Sequence, residues 1–266
     1  MITALLVSLF AGLATSIGGV LATHKKMVER SVLAVSLALA AGAMLFLSFV
    51  ELLPHGMDEL QNSSYAEIAD VMVFGTFFIG IGIVMLIDRL LPKSLNPSEI
   101  EGRESTLSSG EKNANRHLMR SGIFMAAVLA LHNFPEGAST FAASYHDIHG
   151  GVVLAIAIAL HNIPEGIAVA APIYVATRSR KKALLWATVS GLTEPLGALV
   201  MALLVVTVLP AALIGLVYGL VAGMMTFIAL DELLPASWRY QTKSHQTVYG
   251  LLAGMLLVAG SVALIH

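Results

Sequence analysis

The stretch His-Asn-Phe-Pro-Glu-Gly at residues 132–137 lies near the middle of an apolar segment. It recurs as His-Asn-Ile-Pro-Glu-Gly at residues 161–166, again inside an apolar segment. Polar and ionisable side chains in the middle of an apolar span are costly, and they usually mark an ion or substrate path. In each copy the histidine and the glutamate are four residues apart, which places both on one face of a helix. Such a pair can bind a metal ion, and the chain contains it twice.

The composition indicates a protein that crosses a lipid bilayer several times. Hydrophobic residues make up 57% of the 266 residues and charged residues only 12%, whereas about a quarter of the residues are charged in soluble chains. The net charge of −2 says nothing about nucleic acid, but the sequence shows no basic face for it, so we expect no nucleic-acid partner. The chain has no cysteine, which excludes a disulfide framework and a thiolate metal site.

The apolar segments predict an all-α integral membrane protein that forms a single domain over residues 1–266. The first segment has no Lys or Arg ahead of it, so we interpret it as a retained span and not as a signal peptide. A membrane-spanning helix needs about 20 apolar residues. Eight segments meet this requirement, at residues 2–23, 32–53, 70–91, 119–143, 151–176, 183–207, 210–234 and 247–265.

The positions of the basic residues predict the orientation of the spans. If the N-terminus is outside, all 15 Lys and Arg residues fall in the connections on the inner side. Cytoplasmic connections are enriched in these residues. We therefore predict a multi-pass protein of the cell (inner) membrane with both termini outside. The polar stretch 94–117, between spans 3 and 4, is predicted to be a flexible cytoplasmic loop.

The chain also contains an inverted repeat. The glycine-containing stretch 12–18 in span 1 resembles 191–197 in span 6, and the Glu-Leu-Leu-Pro stretch 51–54 in span 2 recurs as 232–235 in span 7. The two pairs have nearly the same offset along the chain. The related spans run in opposite directions, and so do spans 4 and 5. This pattern predicts eight transmembrane helices in a 3+2+3 inverted-repeat arrangement, a common transporter design with its binding site at the midplane.

Ionisable residues near the ends of two spans are candidates for a gate or relay. Glu51 and His55 lie near the outer end of span 2, and Glu232 lies near the inner end of span 7. Solvation at the membrane surface would explain the two glutamates equally well, and for His55 an ordinary polar position is the favoured interpretation. The outer stretch 146–149 contains two histidines and an aspartate. We interpret it as an ordinary polar loop, with the concentration of cations as the alternative.

The central motifs supply ligands for a metal ion. Spans 4 and 5 are antiparallel, so we expect His132, Glu136, His161 and Glu165 to converge at one depth. Imidazole and carboxylate ligands together suit Zn²⁺, Fe²⁺, Mn²⁺ or Co²⁺. The proline of each motif lacks an N–H group and so leaves a carbonyl without its helical partner, facing the cavity.

Further polar groups accompany these four side chains. Asn133 and Asn162 offer neutral oxygens, and Glu194 is another carboxylate in the middle of a span. An unpaired carboxylate inside a membrane is expensive and favours a functional role. If the glutamate carboxylates each bind two metal ions, the site has room for two adjacent ions.

At these residues the chain resembles the ZIP (Zrt/Irt-like) metal transporters, and it is most similar to their bacterial zinc-uptake subgroup. The resemblance covers essentially the whole chain and rests on the paired His-Asn-x-Pro-Glu-Gly motifs. It implies uptake of Zn²⁺, and of Fe²⁺, Mn²⁺, Co²⁺ and Cd²⁺, as transported ions with no prosthetic group, by a homodimer. It also implies a binuclear site. The first metal's ligands would be His132, Glu136, His161 and Glu165, and the second's Asn133, Glu136, Asn162, Glu165 and Glu194.

Two other functions compete with transport inward. An intramembrane zinc-dependent hydrolase would also place a metal in the membrane, but its usual His-Glu-x-x-His pattern is absent from the sequence. A metal receptor or exporter is the other alternative, because the sequence does not indicate the direction of metal transport. We predict a secondary transporter and not an enzyme. The sequence has no nucleotide-binding Gly-x-x-x-x-Gly-Lys motif that would indicate ATP drive.

Overall fold

Long apolar helices dominate the fold, because a backbone inside lipid must satisfy its hydrogen bonds within each segment. The computed structural model describes residues 1–90, 111–207 and 211–263. Within these ranges seven helical segments are long and apolar enough to cross a membrane. They are Ile2–Leu21, Arg30–Gln61, Ala66–Arg89, Ile148–Thr177, Arg180–Leu204, Leu213–Tyr240 and Gln246–Ala263.

The eighth long helix, Glu111–His146, carries the first central motif. Its 36 residues correspond to about 54 Å at 1.5 Å per residue, which is more than enough to span a bilayer. With it, the described part of the chain agrees with the predicted all-α architecture of eight spans. The helices are α1 (Ile2–Leu21), α2 (Arg30–Leu47), α3 (Leu53–Gln61), α4 (Ala69–Leu90), α5 (Glu111–His146), α6 (Ile148–Thr177), α7 (Arg180–Gly191), α8 (Thr193–Thr207), α9 (Ala211–Ile228), α10 (Leu234–Tyr240) and α11 (Gln246–Ala263).

One predicted boundary needs correction. We predicted a flexible loop over residues 94–117. Helix α5 already begins at Glu111, so the last seven residues of the predicted loop are helical. Residues 111–117 include Glu, Lys, Ala and Arg, which have good helix propensity. Residues 91–110 lie outside the described residues, and their predicted character as a cytoplasmic loop stays a prediction.

The two Glu-Leu-Leu-Pro stretches adopt the same unusual backbone. Each lies where a long helix widens into a π-helical turn, at Ser48–Leu52 and at Ala229–Leu233. The proline that follows, Pro54 or Pro235, lies in the first turn of the next helix. A proline ring would clash with the carbonyl four residues earlier in a regular helix, and the wider turn relieves that clash. The sequence repeat is thus also a repeat of local structure.

Close helix contacts repeat in the same way. Gly42 of α2 lies against the backbone carbonyl of Leu251 in α11, while Gly223 of α9 lies against the carbonyl of Phe77 in α4. A β-carbon at either glycine would collide with that carbonyl, so the close approach requires glycine. Gly42 and Gly223 have the same offset along the chain as the two Glu-Leu-Leu-Pro stretches. Helices α2 and α11 therefore pack as α9 and α4 do, and the predicted inverted repeat is confirmed.

The central motif helix α6 is the most buried of the seven apolar segments named above. In the most apolar 18-residue stretch of α6, 72% of the residues are buried, whereas the corresponding share is 22% for α4 and for α11. Helix α6 packs against α1, α5 and α7, and α5 packs against α8. The peripheral helices expose large apolar side chains such as Phe78 and Leu256, as expected for surfaces that face lipid.

Candidate metal centre

Helices α5 and α6 form an antiparallel hairpin that brings the two motifs to one depth. The single residue between them, Asp147, caps α6 by accepting hydrogen bonds from the backbone N–H groups of His149 and Gly150 at 3.0 and 2.9 Å. His132 is fifteen residues before Asp147 and His161 is fourteen after it. At 1.5 Å per residue each lies about 21–23 Å from the turn, so the two motifs lie at one depth, as predicted.

The histidines and glutamates of the motifs are paired across the two helices. Nε2 of His161 lies 2.9 Å from Oε1 of Glu136. Nε2 of His132 lies 3.3 Å from Oε1 of Glu165 and 3.9 Å from Oε2 of Glu136. The structure thus brings together all four side chains that the sequence nominated. Each histidine has its nearest carboxylate on the opposite helix.

The cluster is removed from solvent and has many polar atoms without partners. His132, Glu136, His161 and Glu165 are at most 1% exposed. A buried polar atom without a hydrogen bond costs about 1–3 kcal/mol, so a group of them in one place indicates a site for a ligand. Among the described residues the atoms without a hydrogen-bond partner include Nδ1 and Nε2 of His132, Oε2 of Glu136, Nδ1 of His161 and both carboxylate oxygens of Glu165.

The two asparagines connect the central hairpin to the helices on either side. The amide of Asn133 donates a hydrogen bond to the carbonyl of Ser190 at 3.2 Å, and that of Asn162 donates to the carbonyl of Ala11 at 3.0 Å. Asn162 also donates to Oε2 of Glu194 at 2.7 Å. Both asparagines and Glu194 are fully buried. Each asparagine keeps its Oδ1 without a hydrogen-bond partner within the described chain.

A break in the sixth span positions the carboxylate of Glu194. Helix α7 ends at Gly191 and α8 begins at Thr193, which places Glu194 and Pro195 in the first turn of α8. A proline is tolerated in a first turn because its missing N–H has no intrahelical partner there. Pro195 therefore fits the break, next to a carboxylate that reaches Asn162.

The inverted repeat also relates the helices that flank the site. Gly137 of α5 lies against the carbonyl of Glu194, and Gly166 of α6 lies against the carbonyl of Thr15 in α1. Thr15 and Glu194 have the same offset along the chain as the repeated stretches of spans 1 and 6. Thr15 is fully buried, and its Oγ1 has no hydrogen-bond partner in the described part of the chain. Sequence reasoning missed Thr15, although the repeat offset applied to Glu194 points to it.

The three gate candidates lie in two other places. Glu51 and His55 line a cavity of about 230 Å³, where Nδ1 of His55 is 3.5 Å from Oε2 of Glu51. Glu232 is only 3% exposed, so solvation does not explain it. Its carboxylate lies within 4.8 Å of those of Asp88 and Asp231, a grouping that could hold a metal ion. Sequence reasoning missed both aspartates, of which Asp231 directly precedes Glu232.

Comparison with known proteins decides the family. The family model of the ZIP zinc transporters matches residues 1–119 and 92–261, which together cover nearly the whole chain. The chain belongs to the ZIP zinc transporter family. Its similarity to a zinc transporter ZupT from Corynebacterium glutamicum is 47% identity over 261 residues, covering 97% of each chain. A zinc transporter ZupT from Oceanobacillus iheyensis is 43% identical over 100% of this chain and 98% of its own. A zinc transporter ZupT from Campylobacter jejuni is 41% identical over 98% of this chain and 96% of its own.

Membership in the ZIP family confirms the resemblance drawn from the paired motifs. The protein is a multi-pass membrane transporter and not an enzyme, which excludes the intramembrane hydrolase considered above. The motif pairs that first suggested the family lie at the centre of the fold.

Proposed function

We propose that this ZIP protein carries Zn²⁺ inward across the cell (inner) membrane through a binuclear site on α5, α6 and α8. The transported ion is inferred from relatives that are named zinc transporters, among them those of C. glutamicum and C. jejuni. The observation that carries the proposal is the fully buried cluster of imidazole, carboxylate and amide groups with atoms that lack partners. This donor set suits Zn²⁺, and it also suits Fe²⁺, Mn²⁺, Co²⁺ and Cd²⁺ as further substrates.

In this proposal the two bridging residues are Glu136 and Glu165. His132 and His161 complete the first metal position, and Asn133, Asn162 and Glu194 the second. Histidine and carboxylate bind a metal ion only without their protons, so metal binding releases protons from the site. The ion therefore enters as the crossed His–Glu pairs open, and the pairs form again when it leaves.

We also propose a membrane orientation and an oligomeric state for the whole protein. Both termini lie outside, which places the basic connections in the cytoplasm. Residues 94–110 and the following helical turns then lie on the inner side. The functional protein is a homodimer in the bilayer.

The direct test is uptake into liposomes that contain the purified protein and a zinc-sensitive dye. We expect wild-type protein to admit Zn²⁺, and Glu136→Ala and Glu165→Ala each to reduce the initial rate at least tenfold. Glu67→Gln, at an exposed position on the predicted outer side, is the matched control and should keep the wild-type rate. If both alanine variants keep the wild-type rate, the central site is not the transport site.

Competition in the same assay tests the further metals. Fe²⁺, Mn²⁺, Co²⁺ or Cd²⁺ added outside should lower the zinc signal, and direct measurement of metal inside the vesicles should show that the competitor enters. A competitor that lowers the signal without entering is an inhibitor and not a substrate.

A further inference from the structure

A cavity on the predicted outer side of the membrane is lined by several ionisable side chains. It has a volume of about 230 Å³. Because about 10–15 Å³ of such space is enough for one water molecule, the cavity has room for several waters or for a partly hydrated cation. Its ionisable lining residues are Glu51, His55, Glu59, Asp147, His149 and Tyr218.

His55 and Glu59 repeat the ligand spacing of the central site. They are four residues apart on α3, in the same order as His132 and Glu136. A helix places such a pair on one face, and both side chains line the cavity. This is a third His-x-x-x-Glu arrangement in the chain, and the family motif does not include it.

The hydrogen bond of His55 prepares its ring for metal binding. Nδ1 of His55 lies 2.8 Å from the backbone carbonyl oxygen of Glu51. A carbonyl oxygen only accepts, so Nδ1 carries the proton and Nε2 of the neutral ring keeps its lone pair. Histidines that bind metals usually donate their other N–H to a carbonyl or a carboxylate in this way. The side chain is 58% exposed and therefore accessible to an ion in water.

The cavity lies in line with the central site. Ala143 of α5 and Leu154 of α6 form part of its wall. Ala143 is seven residues after Glu136, and Leu154 is seven residues before His161. Seven residues of helix correspond to about 10 Å, so two turns of each central helix separate the two places.

The other ionisable groups have supporting parts. The carboxylate of Asp147 accepts two backbone N–H groups as the cap of α6, so it adds negative charge to the cavity without being a ligand. The carboxylate of Glu51 lies 3.5 Å from Nδ1 of His55 and holds the ring from the protonated side. The Tyr218 ring packs at 6.3 Å from the His55 ring.

We propose that His55 and Glu59 form a loading site that binds a divalent metal ion of the Zn²⁺ class before it reaches the central site, with Glu51 as the positioning residue. The direction of movement in this statement rests on the proposed function, whereas the binding itself does not. Two protein ligands with water in the remaining positions give a weak site, which an ion on a transport path must be able to leave.

Metal binding to the purified protein tests the site independently of transport. In a His132→Ala/Glu136→Gln/His161→Ala/Glu165→Gln background, which removes the histidines and glutamates of the central site, titration with Co²⁺ should still show the visible absorption of a histidine-bound ion. Adding His55→Ala should remove that absorption, and adding Glu59→Gln should weaken the binding at least fivefold. His24→Ala, which removes another exposed histidine, should leave it unchanged. If the background has no such absorption, or if His55→Ala leaves it intact, the loading site does not exist.

Uptake kinetics test the role of the site. His55→Ala and Glu59→Gln, with the central site intact, should raise the KM for Zn²⁺ about five- to tenfold and leave the maximal rate within a factor of two. An altered pH dependence of uptake with unchanged Co²⁺ binding would make His55 a proton relay and overturn the proposal. Failure of the wild-type protein to transport would contradict the proposed function but not the binding site.

Discussion

Oε1 of Glu136 lies 2.9 Å from Nε2 of His161 on the neighbouring helix, while the nearest approach of Glu136 to His132 on its own helix is 3.9 Å. The reciprocal pair, His132 with Glu165, is 3.3 Å apart. The candidate ligands on α5 are therefore paired with those on α6. Two ion-pairing groups without access to water interact strongly, and loss of one partner leaves the other buried without compensation.

The crossed pairing predicts strong energetic coupling between Glu136 and His161. In metal-free protein, Glu136→Gln and His161→Ala should each lower the thermal midpoint of unfolding. The midpoint of the double variant should be only slightly below that of the less stable single variant. The deviation from additivity should be about 0.5–3 kcal/mol, as for residues in direct contact. The same cycle with His132→Ala in place of His161→Ala is the control. A larger coupling for the same-helix pair would contradict the crossed arrangement.

Spacing along one helix could predict which side chains share a face but not how two helices would pair them. The sequence thus identified His132, Glu136, His161 and Glu165, while the crossed pairs depend on the relative rotation of α5 and α6. Asp88 and Asp231 could not be found from a motif, since each becomes notable only through its neighbours in space, whereas Thr15 could be found only by applying the repeat offset to Glu194. The inverted repeat was readable because equivalent packing positions demand similar residues.

Close contact between backbones makes Gly137 essential to the site. A β-carbon there would collide with the carbonyl of Glu194, so Gly137→Ala should push α5 away from α8 and displace a nominated ligand. We expect a loss of about 1–3 kcal/mol of stability, as in other overpacked positions, and a clear drop in zinc uptake.

Gly75→Ala is the matched control for that substitution. An added β-carbon at Gly75 has no atom within 4 Å, and alanine favours a helix over glycine. The Gly75 variant should keep wild-type uptake and an equal or higher thermal midpoint. If the two variants behave alike, the contact between Gly137 and Glu194 does not constrain the site.

The cap at Asp147 predicts a dependence of stability on pH. Hydrogen bonds from the backbone N–H groups of Gly150 and His149 lower the pKa of the Asp147 carboxyl below its usual 3.8. Because the folded pKa is the lower one, the stabilisation is present above the unfolded value and is lost as the pH falls through the folded value. Asp147→Ala should lower the thermal midpoint at neutral pH and reduce its fall in acid.

The chemistry of capping supplies the control at this position. An asparagine in place of Asp147 would keep a side-chain oxygen for the same N–H groups. Asp147→Asn should therefore retain most of the neutral-pH stability but lose the acid dependence that belongs to this carboxyl group. A thermal midpoint of Asp147→Ala equal to wild type at neutral pH would contradict the role of the cap.

The orientation of the chain can be measured directly because it contains no cysteine. Single cysteines at two exposed positions, Ser64→Cys between α3 and α4 and Lys181→Cys in the first turn of α7, provide unique labelling sites. With both termini outside, an impermeant thiol reagent should label the Ser64→Cys variant in intact cells. The Lys181→Cys variant should react with this reagent only after the membrane has been permeabilised. The reverse pattern would invert the predicted topology.

The difference between Thr15 and Glu194 predicts an asymmetric site. The two residues occupy equivalent positions of the inverted repeat, yet only Glu194 offers a carboxylate, which accepts from Asn162 and keeps Oε1 without a hydrogen-bond partner in the described part of the structure. In the proposed binuclear site Glu194 is the one carboxylate that belongs to the second metal alone. Glu194→Gln keeps the size of the side chain and removes its charge.

We therefore expect Glu194→Gln to lower the number of Zn²⁺ ions bound at the centre from two to one in equilibrium dialysis. Uptake should fall at least tenfold, since even residues outside the ligand shell typically affect metal affinity 10- to 100-fold. Thr15→Val, nearly isosteric and without the hydroxyl, should keep two ions and uptake within a factor of two, because a neutral hydroxyl adds little to binding beside three carboxylates. Two ions bound to Glu194→Gln would mean that the glutamates at 136 and 165 hold both metals, and Glu194 would then only tune the site.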